Sequence, residues 1–460
     1  MRFGPTRLLM AVILLLAACG GWPTALLAAT SEASASKSQA SDEHRPADEV
    51  LDREEKAITA IEALGGRFTN NYKRVNFYGP RLTDADLEHL KDLANLENLV
   101  ILNSKITDDG LKHISRLTEL TGLFVDSQQI TDVGMERLKG LTRLSRLHLS
   151  RTQITDVGLQ HLRELTHLTP LYLDSQHITD EGLQHLKGLT RLSRLALNRT
   201  QITDAGFKHF EGLTSLNHFG VSHTQITGAG LTHLEGLTEL SSLNLSNTQL
   251  SDAGLSHLKG HAGLKGLSLE NTSVTDAGLE HLIGLTNLES LTLRSREITD
   301  DGLKFLEGLT GLTELDLTWT QLTDAGMAHV SGLAKLAELE LGNTAVTDEG
   351  LKHLQGLTNL ERLSLHDTAL RGSGLVHLGG LTSLKVLNLG NTELTDAGLE
   401  HLTQLSGLRF LLLSHTQITD SGLKHLKELA GLTRLRLENT QITDAGREEL
   451  KAALPECRIQ

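Results

Sequence analysis

Residues 275–298 read TDAGLEHLIGLTNLESLTLRSREI, and close variants of this 24-residue unit fill most of the 460-residue chain. The Thr-Asp pair marks the register of the units. From Asp84 onward an aspartate recurs every 24 residues, and glycine takes its place only at Gly228 and Gly372. A repeat without insertions indicates units that stack on their neighbours and share one continuous core.

Two periodicities alternate inside each unit. Leu291 and Leu293 are two residues apart, as a strand with one buried face requires. From Asp276 to Leu282 the apolar residues are three apart, Asp276 is suited to N-cap a helix, and Gly284 closes the segment. We therefore predict that each unit holds a short strand and about two helical turns, with the aspartate column capping the helices.

The spacing L-x-x-L-x-L-x-x-[N/T]-x-[I/L], seen from Leu240 to Leu250, resembles the leucine-rich repeat. The I-T-D-x-G-L segment that follows resembles the cysteine-containing subclass of F-box proteins, with Thr248 where that subclass has cysteine, and the whole unit is similar to repeats of exported bacterial proteins. The resemblance covers residues 60–460 and implies an α/β fold. The expected architecture is a right-handed, horseshoe-shaped solenoid with about 16 parallel strands on its concave face and short helices on its convex face.

The segment before the repeats has the composition of an export signal. Arg2 and Arg7 precede the apolar run Leu8–Ala18, which is typical of a secretory signal peptide. Residues 16–19 resemble the bacterial lipobox, in which Cys19 would be lipidated, and cleavage near residues 28–29 is the alternative. The predicted organisation is a signal peptide (1–29), a flexible tether (30–46), an N-terminal cap (47–82), the repeats (83–446) and a C-terminal cap (447–460).

Composition argues against several classes of function. The net charge of −14 gives no electrostatic footprint for nucleic acid. With only Cys19 and Cys457, the chain has neither a disulfide framework nor a cysteine-based zinc site. Because no loop interrupts the repeats and no hydrolase, phosphate-binding or dinucleotide motif occurs, we expect no catalytic residues, no cofactor and no metal site.

The most regular polar feature of the repeats after the aspartates is a column of histidines at one fixed position. Neighbouring helices lie about 10 Å apart, so adjacent imidazoles would have to converge sharply to share an ion. We therefore predict that the histidines pack against neighbouring units, and we keep a metal- or pH-responsive surface as the alternative. A threonine column, including Thr248 and Thr320, is predicted to hydrogen-bond the backbone of the turns. The histidines are His89, His113, His161, His185, His209, His233, His257, His281, His329, His353, His377, His401 and His425.

Strand residues between and beside the paired leucines face the concave side, and two groups of them are candidate ligand-binding surfaces. We call Phe124, His148 and Tyr172 the aromatic row, because they hold the same strand position in three consecutive units, beside Asp126, Arg146 and Asp174. Aromatic and arginine side chains are favoured anchors at protein interfaces. The second group, the acidic patch, comprises Glu314, Asp316, Glu338 and Glu340, beside Trp319.

These observations predict a non-catalytic interaction scaffold of the bacterial cell envelope that binds a macromolecule on its concave face. A protein ligand suits this long surface best, and a glycan is the alternative. We expect no nucleic-acid partner, membrane contact only through a lipid anchor, and a monomer. The rival functions are an F-box-like substrate-recognition adaptor, and a metal- or pH-responsive surface protein that uses the histidine column.

Overall fold

The computed structural model describes residues 46–460, so the signal peptide, Cys19 and almost all of the tether lie outside the described residues. The chain divides into two units, Met1–Glu49 and Val50–Gln460, and the second holds every strand that the structure describes. None of the helices within residues 46–460 has the length and apolarity needed to cross a bilayer.

Eighteen strands form one open sheet in the described part of the chain, and each pairs with the next in sequence. All pairings are parallel except β1 with β2. The strands are β1 Arg67–Thr69, β2 Arg74–Tyr78, β3 Asn98–Leu102, β4 Gly122–Asp126, β5 Arg146–Ser150, β6 Pro170–Asp174, β7 Arg194–Asn198, β8 His218–Gly220, β9 Ser242–Asn244, β10 Gly266–Ser268, β11 Ser290–Thr292, β12 Glu314–Asp316, β13 Glu338–Glu340, β14 Arg362–Ser364, β15 Val386–Asn388, β16 Phe410–Leu412, β17 Arg434–Arg436 and β18 Arg458–Ile459.

Parallel strands in the repeat register confirm the predicted fold class. The 24-residue step carries Leu291 onto Leu315 and Leu315 onto Leu339, so like positions of successive units lie side by side. The sheet has two more strands than the 16 or so predicted, one at each end. β18 repeats the register once more, and β1 is an added antiparallel strand that returns into β2 through left-handed residues at Asn70, Asn71 and Tyr72.

The helical segments differ from the two regular α-turns predicted for each unit, because many are shorter and many are 3₁₀ helices. The α-helices are α1 Pro46–Ala63, α2 Asp108–Ile114, α3 Asp132–Leu138, α4 Asp156–Leu159, α5 Asp252–Leu255, α6 Asp276–Leu279, α7 Asp300–Leu303, α8 Met327–Val330, α9 Asp396–Leu399, α10 Leu423–Leu426 and α11 Asp444–Ala453. The 3₁₀ helices are Ala85–Asp92, Gln160–Leu162, Gly182–His185, Asp204–His209, Ala229–Leu234, Ser256–Gly260, Glu280–Leu282, Lys304–Leu306, Asp348–Leu354, Ser373–Leu378, Glu400–Gln404 and Asp420–Gly422.

The core runs as one continuous cluster between the sheet and the helices. Leu279 of a helix and Leu291 and Leu293 of the following strand segment are all buried, and their equivalents fill the same layer in successive units. Alternate strand residues such as Thr292 remain partly exposed on the other side of the sheet. We call that side the open face; it is the surface predicted to be concave.

The aspartates do not cap their own helices, and the sequence prediction was wrong on this point. In the unit that starts at Asp132 the N-cap is Thr131, whose hydroxyl accepts a hydrogen bond from the Val133 amide at 3.3 Å. Asp108, from the preceding unit, accepts from the Thr131 amide at 2.8 Å and from its hydroxyl at 2.6 Å. The aspartate column therefore links most units to the next one, and the link is missing where Gly228 and Gly372 replace the aspartate.

The glycine two places after each aspartate makes room for this link. A Cβ at Gly134 would lie 2.4 Å from Oδ1 of Asp108, closer than atoms can approach. The first marked unit has Asp86 at this place, and its carboxylate accepts from the amide and the hydroxyl of Thr83 at 2.8 Å and 2.7 Å. Asp86 thus supplies to Thr83 the carboxylate that later units receive from their neighbour.

Candidate functional site

The structure brings the aromatic row together on the open face. Phe124 pairs with His148 and His148 with Tyr172 in the register of β4, β5 and β6. The ring centroids are 6.0 Å apart for Phe124 and His148, and 5.2 Å apart for His148 and Tyr172. All three side chains remain partly exposed, so they form one continuous surface.

Apolar residues extend the aromatic row at both ends. Val100 of β3 is the register partner of Phe124, and Ala196 of β7 is the partner of Tyr172. Both are buried. The aromatic row is therefore the exposed centre of a stripe of aromatic and apolar side chains that crosses five strands, β3 to β7.

His148 adds no positive charge to the aromatic row at neutral pH. Burial lowers the pKa of its imidazole to about 4, and the nearby Asp126 carboxylate offsets only part of that effect. The Nε2 atom lies 2.7 Å from the Ser150 hydroxyl. A neutral imidazole between two aromatic rings favours a ligand that offers apolar or aromatic side chains.

The charged residues beside the aromatic row have partners within the chain. Asp126 binds the Arg151 guanidinium through two hydrogen bonds of 2.5 Å and 2.7 Å, and Asp174 accepts one from Arg199 at 2.8 Å. Arg146 donates to the Asn98 side chain at 2.9 Å. These three residues therefore frame the aromatic row, with their main polar contacts already formed.

The two arginines that hold these carboxylates share an unusual backbone conformation. Arg151 and Arg199 both have a φ of 55°, in the left-handed region that side chains rarely adopt. Each follows a strand and turns back toward the aspartate of the preceding unit. Sequence reasoning missed both residues, because the repeat pattern marks this place only by its frequent asparagines.

The four carboxylates of the acidic patch lie on two neighbouring strands. Glu314 pairs with Glu338, and Asp316 with Glu340, in the register of β12 and β13. Burial raises the pKa of Glu340, opposed by a hydrogen bond from Ser364 and reinforced by the charges of Asp316 and Glu338.

Flanking arginines neutralise part of the acidic patch. Arg362 lies 3.2 Å from Glu338, and Arg294 lies 3.6 Å from Asp316. The charge available to a ligand is therefore smaller than four carboxylates suggest.

Trp319 faces a different set of neighbours. It has a φ of 67°, is 41% exposed, and lies beneath the Arg296 guanidinium, 5.2 Å from the ring centroid. The shallow depression beside it is lined by Arg296, Asn343 and Asp367, and by none of the acidic patch residues. The structure therefore does not join Trp319 and the acidic patch into a single site.

Several histidines of the column contact the preceding unit, in line with the predicted packing. The Nδ1 atoms of His233 and His329 lie 2.7 Å from Glu211 and 2.6 Å from Glu307, each 22 residues earlier. His377 contacts Gln355 in the same way. Within residues 46–460 no three histidine, cysteine or acidic side chains lie close enough together to hold a metal ion.

The remaining polar features have structural roles. The Thr248 hydroxyl is buried and donates to the Leu245 carbonyl at 2.6 Å, and Thr320 donates to Leu317 at 2.7 Å, which confirms the prediction for the threonine column. Cys457 is a buried free thiol, and burial raises its pKa. A protonated, buried thiol is a poor nucleophile.

A third surface on the open face was missed by sequence reasoning. We call it the C-terminal patch: Val386 of β15, Phe410 and Leu412 of β16, and Arg434 and Arg436 of β17. Its signal in the sequence is that large apolar residues hold the places beside Leu411 where other units have small or polar residues. The surrounding run of leucines hides that signal.

Comparison with known proteins agrees with this architecture. One family model described as a leucine-rich repeat matches residues 118–178 and 190–250, and a second with the same description matches residues 309–329 and 380–402. No curated protein matches the sequence.

Solved structures match over most of the chain. A leucine-rich repeat protein of Leptospira interrogans is 20% identical, with 78% of this chain and 95% of that chain covered and a TM-score of 0.56. A chain of the mouse RP105/MD-1 complex is 18% identical, with 81% and 71% covered and a TM-score of 0.51. An internalin of Listeria monocytogenes is 26% identical, with 88% and 93% covered and a TM-score of 0.46.

Proposed function

Because the chain is a leucine-rich repeat protein, we propose that it is a non-catalytic scaffold that binds another protein on the open face of its sheet. The aromatic row carries this proposal. It combines Phe124, an uncharged His148 and Tyr172, with the histidine ring in contact with both aromatic rings. At the same strand position, other units have small or polar residues such as Ser268 and Thr292.

A protein ligand fits this surface better than a small molecule does. The row is a partly exposed stripe on the open face of the sheet, whereas small ligands prefer concave pockets that enclose most of their surface. The charges of Asp126 and Asp174 are already paired with arginines, so binding depends mainly on apolar contact. The similar mouse chain comes from an RP105/MD-1 complex, an example of this fold beside a second protein.

The proposed location is the bacterial cell envelope. This part of the proposal rests on the sequence alone: the basic residues Arg2 and Arg7, the apolar run that follows, and the lipobox-like residues ending at Cys19. An intact mass of the mature N-terminus distinguishes the two forms. A lipidated Cys19 supports anchoring, and an unmodified N-terminus near residue 29 indicates release.

The test of binding compares the wild-type chain with the Phe124→Ala/Tyr172→Ala variant. Each is used to capture partners from the cell envelope, and the captured proteins are quantified by mass spectrometry. We expect partner recovery to fall about tenfold or more, because aromatic anchors dominate interface energetics. The matched control is Ser268→Ala/Thr292→Ala, at the same strand position of other units, and it should keep its partners.

A measurement of the melting temperature shows that each variant is folded. Equal recovery of partners by the aromatic variant and the wild type would remove the aromatic row from the function. Loss of the same partners in the Ser268→Ala/Thr292→Ala control would also count against this assignment, since it would place recognition elsewhere on the sheet.

A further inference from the structure

The C-terminal patch exposes apolar side chains on an otherwise polar part of the sheet. Phe410 is 37% exposed, and its strand neighbours Val386 and Leu412 are partly exposed. Val386 pairs directly with Phe410 in the strand register. The Arg434 guanidinium lies over the Phe410 ring, 5.6 Å from its centroid, so a cation and an aromatic face are presented together.

The arginines of this patch are not held in ion pairs within the described residues. Arg434 and Arg436 are exposed and form no ion pair with any residue of the described chain 46–460. In contrast, Arg362 on the same face is held by Glu338 at 3.2 Å. Glu438, two residues after Arg436, accepts a hydrogen bond from Ser414, and that bond, together with Arg436, lowers its pKa, so its negative charge offsets part of the positive charge.

Spacing defines the ligand that would satisfy both halves of the patch. Arg434 and Arg436 are alternate residues of one strand, and Phe410 and Leu412 are the paired positions of the next strand. Alternate strand residues are about 6.6 Å apart, which is also the spacing of alternate side chains in any extended peptide. A peptide lying on the open face over the paired strands β16 and β17 would direct one set of side chains toward the arginines and the other toward Phe410 and Leu412.

We propose that the C-terminal patch binds an extended polypeptide segment in which acidic side chains alternate with large apolar ones. Carboxylates would bind Arg434 and Arg436, where fork-shaped pairing with guanidinium groups is strong. The apolar side chains would cover Phe410, Leu412 and Val386. This surface lies about ten strands away from the aromatic row, so the proposal stands independently of the function assigned to that row.

A polypeptide fits better than a longer polyanion such as nucleic acid. The net charge of the chain is −14, and the acidic patch on β12 and β13 lies on the same face. A continuous line of phosphates would be repelled beyond the few strands of the C-terminal patch. The apolar half of the patch would also remain uncovered.

The experiment uses the chain without its signal segment and a fluorescein-labelled ten-residue peptide of alternating aspartate and leucine. Binding is followed by fluorescence anisotropy at physiological salt. We expect Arg434→Gln/Arg436→Gln and Phe410→Ser each to weaken binding about tenfold or more. The control Arg371→Gln changes an exposed arginine paired with Glu393 and should leave the affinity unchanged.

A second pair of probes separates charge from apolar contact in the wild-type chain. A peptide with asparagine in place of aspartate, and one with serine in place of leucine, should each bind about tenfold more weakly. The Phe124→Ala/Tyr172→Ala variant should bind the aspartate-leucine peptide as the wild type does, and this outcome distinguishes the patch from the aromatic row.

Several outcomes would overturn the proposal. They are no binding of the aspartate-leucine peptide, equal binding of the asparagine peptide, or unchanged affinity in the arginine double variant. Arginine-dependent binding to vesicles of 30% phosphatidylserine, without peptide binding, would instead assign the C-terminal patch to an anionic membrane surface.

Discussion

Asp276 accepts hydrogen bonds from the amide of Thr299 at 2.8 Å and from its hydroxyl at 2.6 Å, across the junction between two repeat units. Thr299 is the N-cap of its own helix, since its hydroxyl accepts from the Asp301 amide. The threonine therefore connects the carboxylate of one unit to the first turn of the helix in the next unit. Where the aspartate is present, this link adds a polar contact between neighbouring units to their shared core.

Removal of one such carboxylate should loosen the stack. We expect Asp276→Ala to lower the free energy of unfolding by about 2 kcal/mol, because the amide and the hydroxyl of Thr299 each lose a hydrogen bond to a charged acceptor. The measurement is urea unfolding followed by circular dichroism. Asp444→Ala is the matched control, since Asp444 makes no such bond within residues 46–460, and it should unfold almost as the wild type does. Equal losses in both variants would show that the inter-unit bond contributes nothing.

The glycine beside each carboxylate should tolerate no side chain. In Gly134→Ala the new Cβ would lie 2.4 Å from Oδ1 of Asp108, and 2.7 Å from a methyl group of Leu111. We expect a loss of about 1–3 kcal/mol of stability, measured by urea unfolding. Gly140→Ala is the control, because nothing lies within 4 Å of its Cβ position. If Gly134→Ala leaves the free energy of unfolding unchanged, the junction between the two units can widen without loss of stability.

The repeat register allowed the neighbours on the open face to be predicted. Since a 24-residue step places like positions side by side, Phe124, His148 and Tyr172 could be placed in contact from sequence alone. The role of the aspartates could not be predicted, because a Thr-Asp pair at a helix start is equally compatible with local capping. The sequence offers one indication of the inter-unit bond. Asp86 stands where every other unit has glycine, and it belongs to the first marked unit, which has no aspartate of a preceding unit beside it.

Other parts of the site depend on backbone conformations that the repeat pattern does not reveal. Arg151 reaches Asp126 because its φ is 55°, and Trp319 faces Arg296 and Asn343 because its φ is 67°. A side chain in the left-handed region leaves the strand in another direction than an extended residue would. For this reason Trp319, placed beside the acidic patch by sequence position, lines a different depression.

Stability should fall as the pH is lowered through the range in which His148 differs between the folded and unfolded states. Its pKa is about 4 in the folded chain, so between pH 6.5 and 4 the unfolded chain binds more protons than the folded one. The contribution of the neutral ring is complete above pH 6.5 and is lost progressively below it, by up to about 3 kcal/mol near pH 4.

The check is the melting temperature of the wild type and of His148→Gln at pH 7.5 and at pH 4.5. The substitution should reduce the fall in melting temperature between the two values, while the other histidines contribute equally to both proteins. An identical fall in the two proteins would show that His148 titrates normally and that the aromatic row carries charge at mildly acidic pH.

Zinc should leave the melting temperature unchanged, because no three possible metal ligands converge within residues 46–460 and column histidines such as His233 contact side chains of the preceding unit. His233 and His329 each direct Nδ1 toward a glutamate 22 residues earlier, and such a pair offers two ligands where a stable zinc site uses three or four. The measurement is a thermal melt of tag-free protein with up to a tenfold excess of Zn²⁺, with and without a chelator. A chelator-reversible rise of several degrees that disappears in His233→Gln would contradict this prediction and support a metal-responsive surface.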